Sequence, residues 1–192
     1  MRAVACAVLL LGGCALTSKA TPVELRYFSP ERVDTPLTAR QKLPPVGRLR
    51  LGPLTSSANL RSSIVHRESA VELDTYATLR WTENPEDYVR RSLSRALFAD
   101  GQLEEVVGGP APTLDVEVVV FEEARREGRH LGRVQLGYQL HDERSVLASG
   151  VVTLERDVVG EGIEPVILAI GSAMEASTSE LAKTVVPQLR GR

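Results

Sequence analysis

The chain has 192 residues, 43% hydrophobic and 25% charged, ordinary globular usage and enough for one domain with a real core. A formal net charge of −2 and a pI near 6.0 leave no basic surplus for a nucleic-acid backbone, so nucleic acid is not an expected partner. Aromatics are only 4%, so Val, Leu, Ile and Ala must fill the interior.

The N-terminus reads as a secretory signal. Met1-Arg2 is a short positive region, Ala3 to Leu11 is apolar, and Gly12-Gly13 are small residues before Cys14. The run is too short to cross a bilayer as a helix. Leu11-Gly12-Gly13-Cys14 resembles the bacterial lipobox, and the resemblance implies cleavage before Cys14 and acylation of its sulfur and new amine. Two or three acyl chains make a stable anchor where one does not. The alternative is an ordinary signal that contains a cysteine. Ala15 stands where Asp would hold a lipoprotein in the inner membrane, which by the same resemblance points to the outer membrane. Cleavage would also remove Cys6, leaving no free thiol and no disulfide.

From Ala15 to about Pro45 the chain is polar and broken by Pro22, Pro30, Pro36, Pro44 and Pro45, as a tether is. Leu25-Arg26-Tyr27-Phe28 interrupts it as a short strand at a sheet edge. Residues 1–13 are therefore expected to be the signal, 14–45 the lipidated tether with that early strand, and 46–190 the folded domain. Val46 to Leu54 alternates, with Leu49 and Leu51 between arginines and Gly52-Pro53 closing the run. Ile64-Val65 and Val71-Glu72-Leu73 are two more strands, with Glu68-Ser69-Ala70 as a hairpin loop.

The most strongly marked stretch is Val71 to Gly101, a strand, a tight turn and an amphipathic helix, around which the chain is expected to be organised. Asn84 can cap the helix through its side chain, Pro85 suits the first helical position, and Glu86 and Asp87 complement the positive end of the dipole. Tyr88 or Val89, Leu93, Ala96 and Leu97 form one apolar stripe, with Arg90, Arg91 and Arg95 off it. Gly101 is placed to end the helix. Trp81, the single tryptophan, is expected to wedge between sheet and helix start.

In the second half Leu114, Val116, Val118 and Val120 alternate with Asp115 and Glu117, then Val119 and Phe121 turn apolar on the opposite face. Glu122 to His130 reads as a charged loop, its arginines Arg125, Arg126 and Arg129 neutralised by Glu122, Glu123 and Glu127, or alternatively facing lipid headgroups or an acidic partner. Gly132, Val134, Leu136, Tyr138 and Leu140 form the next strand. Val146, Ala148, Gly150, Val152 and Leu154 return, giving an antiparallel meander. A long helix from about Pro165 to Val186 ends at Pro187, with Val166 or Ile167, Ile170, Met174, Leu181 and Val185 as its stripe. Its small residues Ala169, Gly171, Ser172, Ala173 and Ala176 suit close packing on the sheet or, alternatively, a helix contact between subunits of a homo-oligomer.

The inventory for chemistry is thin. His130 and His141 fall in predicted turns as solvated side chains, and no histidine pair has helical metal-site spacing, so neither metal nor cofactor is expected. His66 with Glu68, Glu72 and Asp74 across a hairpin is the one carboxylate–imidazole cluster, and a solvated strand face is its plain reading. Gly108-Gly109 lacks the Lys-Ser/Thr of a phosphate loop, and there is no G-x-S-x-G elbow. No catalytic role is expected of any residue.

Taken together, the lipobox, Tyr27-Phe28-Ser29-Pro30, the strand ending in Arg80-Trp81, the capped helix, the LDVEVVVFEE strand and the small-residue terminal helix resemble the PqiC-like ABC-type transport auxiliary lipoprotein family. One departure is Tyr-Phe-Ser-Pro, where that family often has Tyr-Tyr and then Leu. The resemblance implies a single α+β domain with two main helices on a mixed or antiparallel sheet. It also implies a non-catalytic outer-membrane lipoprotein, partnered by an MCE-domain protein of an ABC-type system that moves phospholipids or other lipophiles across the periplasm. The alternatives are a lipopolysaccharide-assembly lipoprotein that plugs an outer-membrane barrel, and a periplasmic hydrolase using His66 with Glu72 or Asp74.

Overall fold

A computed structural model describes residues 23–32, 44–100, 103–126 and 128–190. The signal, Cys14, most of the tether and the helix-ending role expected of Gly101 lie outside the described residues. The elements in chain order are β1 (Arg26–Phe28), β2 (Gly47–Ser56), β3 (Ser63–Arg67), β4 (Leu73–Trp81), α1 (Pro85–Ser94), β5 (Leu103–Glu105), β6 (Thr113–Arg126), β7 (Arg129–His141), β8 (Val146–Asp157) and α2 (Ile163–Val185). A π-helical segment, Arg95–Asp100, extends α1, and a 3-10 helix, Val186–Leu189, follows α2 at Pro187. This is the expected α+β domain, one mixed eight-stranded sheet with two main helices.

The sheet is organised around β6 rather than around the Val71–Gly101 stretch. Its first half pairs in parallel with β2 (Leu51 opposite Leu114, Ser56 opposite Val118), and its second half pairs in parallel with β3 (Val65 opposite Glu122). Along its other edge β7 pairs antiparallel, and β8 follows β7 as the predicted meander. β3 and β4 form the expected hairpin, and β1 adds to β4 as a parallel edge strand despite its Tyr-Phe-Ser-Pro sequence. β5 pairs with the start of β2.

Two strand expectations are corrected. β2 runs on to Ser56 because Gly52-Pro53 sits in an irregularity between Leu51 and Leu54 instead of ending the strand. In β6 an irregularity between Val118 and Val120 shifts the alternation, so Phe121 pairs with Val134 and joins the same core as Val118 and Leu136, not an opposite face.

Both helices cover one face of the sheet: α2 lies on β7 and β8, while α1 lies on β2 and β6 and against α2. The stripe of α2 is buried from Val166 through Val185, as are Tyr88, Val89 and Leu93 of α1 and Leu97 of the π-helical segment. The small residues of α2 are used within the chain. A β-carbon built at Gly132 of β7 would collide with the α2 backbone at Ala169 and Ile170, and one built at Gly171 would collide with the Pro30 carbonyl oxygen. Helix and sheet therefore approach to backbone contact.

Candidate functional site

The corner where β4 turns into α1 fixes the helical face. Trp81 is 1% exposed, and its ring meets Phe121 edge-on at 5.4 Å between centroids and Tyr88 at 6.3 Å. Its Nε1–H has no hydrogen-bond acceptor among the described residues. Asn84 occupies the N-cap position with extended backbone, but its side chain makes no cap hydrogen bond, contrary to expectation. The donors nearby are met otherwise: Asp87 N–H donates to the Asn84 carbonyl at 3.0 Å, Glu83 N–H donates to the Tyr88 hydroxyl oxygen at 3.0 Å, and Pro85, first in the helix, has no N–H.

The segment after β1 is strapped across both helices. Thr82 N–H donates to the Phe28 carbonyl at 3.0 Å, and the Pro30 carbonyl rests on Gly171. Arg91 then grips Glu31 with two nitrogens, at 3.1 Å and 2.8 Å, and Glu83 with a third at 2.6 Å. The hydrogen bonds that Arg91 donates to Glu31 raise its pKa above the usual value, against the opposing effect of burial. This strap delivers Arg32 to the rim of a groove between α1 and α2.

That groove encloses about 700 Å³. Its floor is a hydroxyl pair, Ser92 Oγ and Thr178 Oγ1 at 2.7 Å, both buried, which ties α1 to α2. Arg32, Arg95, Lys183 and Arg190 stand around it, with Glu175 and Asp100 among them and Ala96, Ala182 and Pro187 on its walls. A smaller groove of about 490 Å³ on the other side of the strap shares Arg32 and Glu175.

At the opposite end of β6 lies a dense ionic network. Glu122 and Glu123 are 1% and 0% exposed, strand residues rather than the expected loop, because the chain reverses only between Arg126 and Arg129, with Gly128 at φ 73°. Neighbouring strands supply their partners. Glu122 accepts Arg67 Nε at 2.7 Å and faces Arg133 at 3.7 Å. Glu123 accepts hydrogen bonds from the Tyr76 hydroxyl and from Arg125, and lies 2.6 Å from His130 Nε2. Burial first, then the hydrogen bond to Glu123, pushes the Tyr76 phenol up to about 12. Arg125 is also raised: burial opposes this, and the adjacent Glu123 carboxylate outweighs it.

This network absorbs His66 and His130, while His141 lies at the other end of β6. His66 reaches Glu68 at 3.0 Å and its ring lies tilted against that of Tyr76, while Asp74 stands opposite it in the β3–β4 ladder and Glu72 is exposed in the connection. His130 is a strand residue on Glu123 rather than a solvated turn residue, and His141 lies 3.2 Å from Asp115. Every carboxylate at the centre of this cluster is already held by an arginine, a phenol or an imidazole, an arrangement that braces strands. Among the described residues no three His, Cys, Asp or Glu side chains gather as metal ligands, and no helix is long and apolar enough to cross a membrane. The groove residues escaped the sequence reading because Arg32, Arg95, Lys183 and Arg190 are spread along the chain. The only local signal was that Arg95 lies off the apolar stripe.

The fold has solved counterparts. A Xanthomonas campestris protein of the DUF330 family superposes with a TM-score of 0.71 at 20% identity, over 85% of this chain and 96% of that one. A hypothetical protein from Chlamydia trachomatis superposes with a TM-score of 0.55 at 10% identity, over 74% of this chain and 96% of the other. At these identities the likeness concerns the fold. No curated protein matches in sequence. The model of one family matches residues 33–182, which take in β2 through most of α2, and the chain belongs to that family, described as the ABC-type transport auxiliary lipoprotein component.

Proposed function

We propose that the protein is an outer-membrane-anchored, non-catalytic auxiliary lipoprotein that docks an MCE-domain protein of an ABC-type lipid transport system on the periplasmic side, and so supports membrane integrity. The family match over residues 33–182 carries this reading. The lipobox at Cys14 and Ala15 after it support the anchor and its membrane, and the proline-broken stretch to Pro45 gives the domain reach. The carboxylates at the end of β6 support a non-catalytic role, since they brace strands instead of facing a cleft.

A pull-down with the lipidated protein from envelope extracts tests the reading. The expected partner is the cognate MCE protein, and deletion of the gene should sensitise cells to detergents and lipophilic compounds. Recovery of a lipopolysaccharide-assembly barrel without an MCE protein would favour the alternative assignment.

A further inference from the structure

We propose that the groove between α1 and α2 is a binding site for a phosphate-bearing anion, held by Arg95, Arg190 and Arg32. These arginines come from three separate parts of the chain: the π-helical segment, the C-terminal end beyond α2, and the strap. None of them makes a hydrogen bond or ion pair with another described residue, whereas Arg67, Arg91, Arg125 and Arg126 each hold a carboxylate. In a chain where acidic residues outnumber basic ones, 25 to 23, three unpaired arginines around one groove are a concentration of unused donors. A planar guanidinium presents paired N–H groups that match phosphate oxygens, and it does so most strongly where water is partly excluded.

The groove is built rather than incidental. The Ser92–Thr178 hydroxyl pair on its floor is 5% and 1% exposed and fixes the distance between the helices. α1 changes its winding at this point. The Arg95 N–H is shared between the carbonyls of Arg91 and Ser92, and the helix then widens into the π-form, a device found often at functional sites. Without the strap Arg32 would not reach the rim, so Glu31 and Arg91 position one of the three cations. Lys183, paired with Glu180 at 3.1 Å, adds a further positive charge, and Glu175 and Asp100 reduce the excess without cancelling it. The apolar wall of Ala96, Ala182 and Val186 leaves room for hydrocarbon beside the anion. The phosphate could thus be a lipid headgroup or a free ion, and the volume of about 700 Å³ suits a small molecule.

The test uses the lipidated protein alone in a nonionic maltoside detergent, so its failure would leave the transport partner untouched. Calorimetric titration with inorganic phosphate and with dihexanoyl phosphatidylglycerol, each against a detergent blank, should give saturable binding of at least one. Equal affinities identify the free ion as the ligand, and tighter binding of the lipid identifies the headgroup with its chains. Each of Arg95→Gln and Arg190→Gln should weaken binding about tenfold, as expected for a charged hydrogen bond. Both positions are exposed, so thermal unfolding should be unchanged. Ser179→Trp, on the exposed groove side of α2, should block binding without removing a cation. Arg61→Gln, an exposed arginine away from the groove, should leave it intact. No saturable binding of either probe, survival of binding in Ser179→Trp, or an equal loss in Arg61→Gln would overturn the proposal.

Discussion

Replacing Trp81 separates what its ring packs from what its nitrogen lacks. At 1% exposure, with edge contacts to Phe121 and Tyr88, the indole fills the junction of sheet and α1. Removal of a buried large aromatic costs about 3–5 kcal/mol in transfer and cavity energy. The orphaned Nε1–H works the other way, because a buried donor without an acceptor carries a penalty of about 1–3 kcal/mol that disappears with the ring. Trp81→Ala should therefore fall at the lower end, about 3 kcal/mol. Trp81→Phe keeps an aromatic and discards the orphan, and should stay within about 1 kcal/mol of the parent. Urea unfolding followed by far-ultraviolet circular dichroism measures both, and the single tryptophan reports its own burial through a blue-shifted native emission. Losing as much stability in Trp81→Phe as in Trp81→Ala would show that the indole N–H is bonded after all. An emission maximum typical of full exposure would refute the packing itself.

Three further perturbations address the rest of the molecule. The Tyr76 phenol should ionise near pH 12 instead of 10, read as absorbance at 295 nm; since the folded state holds that proton more tightly, its stabilising contribution is whole below pH 10 and is lost as pH rises towards 12, and Tyr76→Phe should abolish this phase. Arg67→Ala leaves the buried Glu122 carboxylate only the longer contact to Arg133 and should cost about 3 kcal/mol in chemical denaturation, while Arg67→Met combined with Glu122→Leu should recover most of it. Cys14→Ser should leave an unprocessed precursor that takes up no palmitate label, and label persisting in that variant would sink the lipobox.

What the sequence disclosed was local. Strict alternation from Gly132 to Leu140 and from Val146 to Leu154 marks strands whose neighbours are also next in sequence, and the meander is found as expected. The parallel pairings of β6 with β2 and β3 join residues some sixty positions apart, as in Val65 and Glu122, and no periodicity announces them. The same distance hid the nature of Glu122 and Glu123. A run of charges reads as solvated until Arg67 and Tyr76 arrive from a separate hairpin to neutralise it. Asn84 had the right residue type for a side-chain cap, but the Asn84 carbonyl and the Tyr88 hydroxyl serve the donors there. The α1–α2 groove depends on the strap, and the strap depends on Gly171 lacking a side chain.

The edge position of β1 has a mechanical side. With Cys14 as the proposed anchor, any pull from the membrane would reach the sheet at Arg26, where β1 begins. Because β1 runs parallel to β4, with Arg26, Tyr27 and Phe28 opposite Leu79, Arg80 and Trp81, tension along the strand slides one against the other, and the ladder bonds resist together instead of opening one by one. The Glu31–Arg91 fork and the Pro30–Gly171 contact come next in line and take up strain only once the ladder yields. Of the three β1 residues only Phe28 packs on the core. Force is therefore shed at the margin of the sheet, and the helices can stay seated while the anchor line gives.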